Sequence, residues 1–273
     1  MKVLFISSGN SGAGVSPIVR SQGESLRNAG IDVDYFTIVG KGLKGYLKNV
    51  LPLRKQIKIN RYDIVHAHYS LSAIAATLAG CKPLVVSLMG SDIRLGVFFK
   101  NVIKVSSFFF WDGLIFKSRD MLDHLGIKQS EIIPNGVNLS LFKPADKMGS
   151  AVNAGWDKRK RHILFAASPG RIEKNYHLFQ KAYEMLDFVE NIEIHVLENI
   201  SHQDIPKYMN ASDAVVLTSL WEGSPNVIKE TMACNRPVVC TDVGDVKWVF
   251  GGVPGCYISS FKPGDLADKI DSR

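Results

Sequence analysis

The run Glu222-Gly-Ser-Pro-Asn-Val-Ile-Lys-Glu230, which follows the apolar run 214–219, decides the fold prediction. The apolar run is rich in β-branched residues and predicts a buried parallel strand. Ser224 is a residue type that caps helices and Pro225 suits the first helical position, so a helix is predicted from there to about Cys234. A buried strand that leads directly into a helix N-terminus is typical of α/β proteins.

The start of this predicted helix is a candidate anion-binding site. Its first backbone N–H groups lack partners within the helix and carry a partial positive charge, which favours a phosphate or a sugar hydroxyl. Glu222 lies in the loop before the helix and Glu230 about a turn and a half inside it, so the carboxylates would reach different parts of one elongated ligand. A nucleotide that carries a sugar fits this spacing. The spacing alone is also typical of two solvated glutamates on a helix face, but the neighbouring sequence favours the site.

The segment resembles the family 4 retaining glycosyltransferases of the GT-B fold, also called glycosyl transferases group 1. Their signature is two glutamates at this spacing, then a helix of small residues and a Pro-Val-Val strand, here Pro237-Val-Val239. The resemblance covers about residues 1–270 and implies two Rossmann-like α/β domains, each a doubly wound parallel sheet, that face each other across a cleft. It also implies that Glu222 positions the donor sugar and that Glu230 holds the ribose. The residues implied to bind the donor are Gly14, Gly223, Ser224, Pro225, Asn226, Val227 and Glu230.

A second part of the implied donor site follows the predicted strand 162–168. Arg171 and Lys174 are three residues apart at a strand-to-helix crossing, where a guanidinium and an ammonium group can converge on a diphosphate. The resemblance implies that this pair neutralises the donor diphosphate, although its spacing is shorter than the commonest family form. Together with Glu222, these two are the predicted catalytic residues. Taken alone, the spacing is equally typical of paired surface cations.

Length and composition are those of an ordinary soluble globular protein with room for two α/β domains. The chain has 273 residues, of which 46% are hydrophobic and 22% charged. Its four cysteines form no CxxC pair and no zinc spacing, which favours a reducing cytoplasm. The first residues, MKVLFISSGN, predict a β-strand rather than a signal peptide, and no stretch has the roughly 18 apolar residues needed to span a bilayer. We therefore expect a cytoplasmic protein, either free or at the inner face of the cell membrane.

The charge is unevenly distributed along the chain. Residues 1–150 contain 19 Lys or Arg and 10 Asp or Glu, whereas residues 151–273 contain 14 and 16. This asymmetry predicts that the first half meets an anionic surface or substrate. Nucleic acid is not a predicted partner, because the positive charge is spread over many elements and no recognition module is present.

A glycine-rich loop follows the first predicted strand, 2–7, and precedes a predicted helix. Its glycines, Gly9, Gly12 and Gly14, would let the backbone approach a ligand closely. Their spacing is GxxGxG rather than GxGxxG, and the second strand, 31–39, ends without the acidic residue that would hold an adenine ribose. NAD binding is therefore not predicted. The resemblance implies that this loop lies near the donor phosphates and the acceptor.

Several residues of the first half are predicted to line the cleft or contact the acceptor. His66 and His68 lie two apart on one face of a strand, a spacing that suits a metal, but no third ligand is evident. Met89 stands where many family members have a histidine that contacts the transferred sugar. A thioether cannot donate that hydrogen bond, so Asp92 or a backbone group would replace it, or the sugar hydroxyl is bound differently. The predicted cleft residues are His68, Met89, Asp92 and Asn135, and no metal site is predicted.

Two stretches of the first half bear on membrane contact. Residues 43–61 mix apolar and basic positions at helical spacing without any acid, and Pro52 would start or kink a helix there. This pattern is typical either of a core helix with a solvated basic face or of a surface that docks on anionic lipid. Phe98-Phe99 and Phe108-Phe-Phe-Trp111 form the densest aromatic cluster, which we expect to pack in the core rather than to insert into a membrane.

The domain boundary is predicted near residue 146. The segment around Asn135-Gly136 resembles the family's interdomain segment, and residues 143–161 have no clear period, which predicts a hinge. The result is an acceptor-side domain, 1–146, and a nucleotide-sugar-binding domain, 147–273. Family members usually continue for several tens of residues, so by this resemblance we expect the second domain to be incomplete at its C-terminus and to lack the usual closing helices.

The predicted function is metal-independent transfer of a sugar from a nucleotide-sugar donor to an acceptor hydroxyl with retention of configuration. No cofactor is predicted, because the nucleotide sugar is a substrate. The resemblance implies a glycan or lipid-linked acceptor and a role in polysaccharide or lipid-linked glycan synthesis. Two alternatives stay open, which are a non-catalytic or truncated nucleotide-sugar-binding protein and a GT-B-like nucleotide-sugar epimerase. The epimerase would need further acid and base residues around the cleft.

Overall fold

The computed structural model describes residues 1–10, 14–94, 96–128, 130–187 and 189–272, without the side chains of residues 93 and 94. The chain divides into two compact units, Met1–Gly136 and Val137–Arg273. Each unit contains one parallel sheet whose successive strands are connected mainly by helices. Gly12 of the glycine-rich loop lies outside the described residues.

The first unit is a six-stranded parallel sheet with the strand order β2-β1-β3-β4-β5-β6. Its strands are β1 (Lys2–Ser8), β2 (Asp32–Ile38), β3 (Ile64–His68), β4 (Leu84–Ser87), β5 (Gly113–Phe116) and β6 (Glu131–Ile132). Its helices are α1 (Pro17–Asn28), α2 (Gly42–Lys48), α3 (Val50–Asn60), α4 (Ser70–Ala79), α5 (Val97–Phe109) and α6 (Arg119–Leu125), with a 3-10 turn at Ser91–Arg94. The strand order reverses between β1 and β3, and ligands of such sheets bind beyond the carboxyl ends of the strands at that point.

The second unit is a five-stranded parallel sheet with the order β11-β10-β9-β7-β8. Its strands are β7 (Arg161–Phe165), β8 (Ile192–Val196), β9 (Ala214–Leu217), β10 (Val238–Thr241) and β11 (Cys256–Ser259). Its helices are α7 (Lys147–Ala154), α8 (Tyr176–Tyr183), α9 (Ile205–Ala211), α10 (Asn226–Ala233), α11 (Val246–Phe250) and α12 (Pro263–Asp271), with 3-10 turns at Ile172–Lys174 and Val189–Asn191. Here the order reverses between β7 and β9.

The predicted doubly wound α/β fold is confirmed for both units. Its basis is the set of apolar runs that the sequence presents as strands. Every residue of β9 is fully buried, as are the central residues of β1, Leu4 to Ile6. A parallel strand covered by helices on both faces needs such a continuous apolar run.

Helix α7 lies within residues 143–161, the segment without a clear hydrophobic period that was predicted to be a hinge. The Asp146 carboxylate accepts the backbone N–H of Gly149 at 2.6 Å and caps the first turn. Gly155, with φ of 74°, ends the helix in the left-handed conformation that favours glycine. The helix was not predicted because its eight residues are too few to show a clear hydrophobic period. Strand β11 was likewise not predicted.

The aromatic cluster of α5 is exposed, so the prediction that it packs in the core is wrong. Phe98, Phe108 and Phe109 have 74%, 77% and 65% of their surface exposed, whereas Trp111 just beyond the helix is buried. Within α5, Ile103 is the residue that enters the core. Density of aromatic residues in the sequence therefore did not indicate burial at this position.

Among the helices of the described residues, none combines the length and the hydropathy that a membrane-spanning segment requires.

Candidate functional site

The loops after β7 and β9 are joined at the carboxyl ends of these neighbouring strands. The Thr218 hydroxyl lies 2.9 Å from the carbonyl oxygens of both Lys174 and Asn175. The Leu220 N–H donates to the carbonyl oxygen of Glu173 at 2.9 Å. These contacts fix the two loops at the point where the strand order reverses, which is the usual ligand position in a doubly wound sheet.

Lys174 and Glu222 form an ion pair at this position. The Lys174 ammonium group contacts Oε1 of Glu222, and the Ser219 hydroxyl donates to the same oxygen at 2.7 Å. The two charged side chains are only 10% and 17% exposed. Because removal of one partner would leave a poorly solvated charge, the pair holds both loops in one arrangement. The structure therefore brings two of the three predicted catalytic residues into contact.

Arg171, the third predicted catalytic residue, makes a different contact. Its Nε donates to Oε1 of Glu173 at 2.8 Å, and its side chain is 58% exposed. An exposed ion pair of this kind contributes little to the free energy of unfolding. The guanidinium group can therefore leave Glu173 and bind a ligand with only a small loss of stability. Convergence of Arg171 and Lys174 on a diphosphate stays a prediction.

Helix α10 begins at Asn226, with Pro225 as its N-cap and no hydrogen bond from the N-cap side chain. The prediction that Ser224 caps the helix and that Pro225 is its first residue is therefore wrong. The Ser224 hydroxyl instead donates to Asp245 at 2.6 Å and accepts from the Lys229 ammonium group at 2.7 Å. Asp245 follows β10, a strand next to β9, so a residue distant in sequence decides the orientation of Ser224.

Gly244 lets the turn after β10 lie directly against the loop of Glu222 and Gly223. Its φ is +62°, and a Cβ atom there would lie 2.7 Å from the carbonyl oxygen of Gly223 and 3.1 Å from that of Glu222.

At the start of α10, the Asn226 Oδ1 is buried without a hydrogen-bond partner among the described residues. A buried acceptor requires a donor, which a ligand hydroxyl can supply. Val227, beside it, packs partly against the core.

Glu230 lies further along α10, with only 6% of its surface exposed. Its Oε1 is 3.0 Å from Nε2 of His202, and the His202 ring contacts Phe142 at 5.2 Å between ring centroids. His202 was not among the predicted site residues. The signal that could have found it is its place soon after β8, whose carboxyl end lies beside that of β7.

In the first unit, Asp92 organises the loop that contains Met89. Asp92 is fully buried, and its carboxylate oxygens accept the backbone N–H groups of Ser70 at 3.1 Å, Met89 at 3.1 Å and Gly90 at 2.9 Å. Burial raises the pKa of Asp92 even though these amides oppose the shift. The structure thus brings Asp92 and Met89 together, with the carboxylate turned toward the backbone of its own loop.

His66 and His68 share one face of β3, as predicted. Their rings stack with centroids 4.3 Å apart, and Nε2 of His66 lies 2.9 Å from the Ser87 hydroxyl, which also accepts from Lys117 at 3.3 Å. Both ring nitrogens of His68 are buried without a hydrogen-bond partner in the described part of the chain. Burial lowers the pKa of His66 to about 3 and that of His68 well below its usual value, and the Lys117 charge adds to both shifts.

The two remaining predicted site residues lie in loops of the first unit. Gly14 has a φ of +71°, a conformation that glycine adopts without strain, and it precedes α1. Asn135 follows β6 and is half-buried. Their contacts with donor or acceptor stay predictions.

Comparison with known proteins identifies the family. The profile of Glycosyltransferase Family 4 matches residues 12–141, and that of Glycosyl transferases group 1 matches residues 160–272. An uncharacterized glycosyltransferase of Methanocaldococcus jannaschii is 30% identical over 247 residues, and the match covers 82% of this chain and 69% of that protein. The chain belongs to the group 1, family 4 glycosyltransferases.

Two further similarities bear on this glycosyltransferase. An Escherichia coli protein named UDP-Gal:alpha-D-GlcNAc-diphosphoundecaprenol alpha-1,3-galactosyltransferase is 28% identical over 248 residues, covering 72% of this chain and 62% of the relative. HepE of Anabaena, solved in complex with UDP-glucose, is similar with a TM-score of 0.74 and 20% identity, covering 100% of this chain and 89% of that one. The structural likeness confirms the predicted GT-B type of fold.

The glycosyltransferase should be sensitive to a methyl group at Gly244. We expect Gly244→Ala to destabilise the chain by about 1–3 kcal/mol more than Gly252→Ala, measured by chemical denaturation, because both impose a left-handed φ but only the first also places Cβ against backbone. Gly252 is the matched control, since its φ is +83° and nothing lies within 4 Å of its added Cβ. Equal losses in the two variants would contradict the close approach.

The buried side chains of His66 and His68 should make the stability of the glycosyltransferase depend on pH. Their pKa values are lowered in the folded chain, so below pH 6.5 the unfolded chain binds more protons and stability falls as pH falls. We expect each histidine to contribute a loss of about 1.4 kcal/mol per pH unit between about pH 6 and 5.

The measurement is the free energy of unfolding of the wild type and of His68→Phe across this pH range. His68→Phe should show a shallower slope, whereas His177→Gln, which changes an exposed histidine, should keep that of the wild type. A slope unchanged by His68→Phe would refute this assignment.

Proposed function

We propose that this chain transfers a glycosyl group from a nucleoside-diphosphate sugar to an acceptor hydroxyl, with retention of configuration and without a metal ion or other cofactor. The observation that carries the proposal is the Lys174–Glu222 ion pair, held between the carboxyl ends of β7 and β9 next to the start of α10. A poorly solvated pair of opposite charges beside a helix N-terminus, with its partial positive charge, suits a ligand with one anionic and one hydroxylated part.

In this proposal Lys174 stabilises the departing diphosphate. An ammonium group has three donors, so it can bridge Glu222 and a phosphate oxygen at the same time. The first N–H groups of α10 and the Arg171 guanidinium, released from Glu173, supply further positive charge. Charge that develops on the leaving group is thereby stabilised by groups already in place, which is how such sites lower a barrier without a metal.

Glu222 positions the donor sugar. The hydroxyl of Ser219 and the ammonium of Lys174 hold its carboxylate by Oε1, so the group keeps one orientation toward sugar hydroxyls. The bond from the anomeric carbon to the diphosphate oxygen breaks, and the acceptor oxygen forms its bond on the same face. The acceptor proton passes to the departing diphosphate oxygen. This route preserves configuration without an enzymic nucleophile.

Glu230 and His202 bind the nucleoside. The carboxylate of Glu230 accepts hydrogen bonds from the ribose hydroxyls. Nε2 of His202, 3.0 Å from Oε1 of Glu230, keeps the carboxylate oriented. Uridine diphosphate is the nucleotide we propose first, supported by the UDP-glucose complex of the similar HepE and by the UDP-Gal in the name of the E. coli relative. That name also includes a diphosphoundecaprenol acceptor, which supports a lipid-linked acceptor here.

A thermal-shift panel of UDP, UDP-glucose and UDP-galactose tests the donor site. A ligand at about 100 times its Kd raises the free energy of unfolding by about 2.7 kcal/mol, so the wild type should show a clear upward shift. We expect Lys174→Ala and Glu230→Gln to lose most of that shift, whereas Lys181→Ala, at an exposed lysine of the same unit, should keep it. Arg171→Ala should lose less than Lys174→Ala. A full shift in both Lys174→Ala and Glu230→Gln would overturn the donor site.

We also propose that the first unit docks on anionic membranes, where a lipid-linked acceptor would be found. Residues 41–61, which include α2 and α3, contain seven Lys or Arg and no Asp or Glu. Leu43, Leu47, Leu51 and Ile59 on these helices are 44% to 73% exposed, so apolar and basic side chains share the solvent-facing surface. This composition favours the interface of an anionic bilayer over a merely solvated helix face.

Two further features of the first unit support the same proposal. A cavity of about 520 Å³ beside α3 is lined by Arg54, Lys58, Arg61 and Lys82 among others, a set of cations that suits a phosphate headgroup. Helix α5 exposes Phe98, Phe108 and Phe109 on a segment without acids. Exposed aromatic side chains of this density are typical of a surface that meets lipid or another apolar partner.

Sedimentation with lipid vesicles tests the membrane proposal. At low salt we expect phosphatidylglycerol vesicles to retain the protein and phosphatidylcholine vesicles to retain little, with retention falling as salt screens the charges. Leu47→Glu and Phe108→Ser should each weaken retention, whereas Val152→Glu, at an exposed position of α7 in the second unit, should not. Absence of retention at low salt, or equal losses in all three variants, would contradict the proposal.

A further inference from the structure

A second group of potential ligands lies on the sheet of the second unit, outside the proposed donor site. His162 is on β7 and pairs in register with Glu193 on β8, and His195 lies two residues further along β8. Side chains two residues apart point to the same face of a strand, so all three side chains meet on one face of the sheet. Strand β8 is the edge strand, which leaves one side of this group open to solvent.

The spacing of the three side chains suits a single ion. Nδ1 of His162 and Nε2 of His195 are 3.1 Å apart, and Oε2 of Glu193 lies 3.7 Å and 3.9 Å from these nitrogens. Ligands that bind one zinc ion tetrahedrally at about 2.0–2.1 Å are about 3.3 Å from one another. The nitrogens already have nearly this separation, and the carboxylate needs to approach by about half an ångström.

The surrounding contacts orient these atoms toward one point. Nε2 of His162 lies 3.0 Å from the carbonyl oxygen of Asp157. A carbonyl oxygen only accepts, so this nitrogen carries the proton and Nδ1 presents its lone pair to the cluster. Lys160 pairs with Oε1 of Glu193 at 3.3 Å, while Oε2 faces the histidines. Histidines that bind a metal usually donate their second ring N–H to a carbonyl or carboxylate oxygen, and carboxylates that bind a metal are hydrogen-bonded in turn. His162 and Glu193 have contacts of these two kinds.

The site is also held rigid from one side. The Trp156 ring stacks on His195 with centroids 3.5 Å apart and planes within 8°, and His162 is almost fully buried. The side chains of Glu193 and His195 remain 31% and 19% exposed, so an ion and its water can enter.

We propose that His162, Glu193 and His195 bind one zinc ion, with water as the fourth ligand. Two imidazoles, a carboxylate and a water are a ligand set of zinc sites, and the nearly tetrahedral separation of the two nitrogens favours zinc over ions that prefer octahedral coordination. The site lies toward the amino-terminal half of β7, whereas Lys174 and Glu222 follow the carboxyl ends of the strands. The ion therefore touches no reacting atom. Its role is to join the edge strand β8 to β7 and to hold Trp156, independently of the proposed transfer reaction.

Titration calorimetry with zinc chloride tests the site on the full chain after removal of any affinity tag and of bound metal. We expect one zinc ion per chain, and a rise in the thermal unfolding midpoint that excess chelator reverses. His195→Gln and Glu193→Gln should each weaken zinc binding by about 10-fold or more. Glu193→Gln changes a half-buried residue without changing its size, so it keeps the test valid if the histidine variant does not fold.

Two matched variants exclude other ligands. His177→Ala removes an exposed histidine, and Cys256→Ser removes the one cysteine of the four that is not buried; both should bind zinc like the wild type. The proposal is overturned if the wild type binds no zinc, because the histidines then form only a hydrogen-bonded pair. It is equally overturned if His195→Gln and Glu193→Gln both bind as the wild type does, because the ion then lies elsewhere.

Discussion

The contact between Lys174 and Glu222 is the constraint on which the second unit's site depends. A charged side chain in a largely buried position needs a partner of opposite charge, because a single buried charge strongly lowers the free energy of unfolding. Two apolar side chains in the same place would often give the folded chain a similar free energy of unfolding. The pair is placed by the sheet itself, because β7 and β9 are hydrogen-bonded neighbours although β8 lies between them in the sequence. Each strand contributes one partner from the loop at its carboxyl end, so strand order brings the charges together.

The sequence was sufficient for those parts of the site that follow one another along the chain. Buried strands appear as apolar runs, and the glutamate spacing with its following helix and strand indicated the family without knowledge of any contact. The glutamate spacing did not indicate Ser219, His202 or Asp245. Ser219 contacts Glu222 from three residues earlier in the same loop. His202 contacts Glu230 and Asp245 contacts Ser224 from other loops, so these two contacts follow only from the strand order.

The wrong predictions have a common physical origin in competition between local signals and tertiary partners. Ser224 has the chemistry of a helix cap, but Asp245 and Lys229 offer stronger, charged partners and its hydroxyl turns to them. Aromatic residues on α5 have the composition of a core, but a helix on a sheet buries only one face. Helix α7 has little periodicity, but its cap at Asp146 and its terminator at Gly155 are sufficient to define it.

Asp92 and His68, two buried polar residues of the first unit, differ in whether their polar atoms have hydrogen-bond partners. Asp92 accepts three backbone N–H groups and so uses its carboxylate to fix the loop of Met89, which makes it a positioning residue. His68 lies in the same unit with neither ring nitrogen paired among the described residues. A protein that leaves such a group unpaired loses free energy on folding. The two ring nitrogens of His68 therefore remain able to form hydrogen bonds, whereas the carboxylate of Asp92 is already used by the backbone of its own loop.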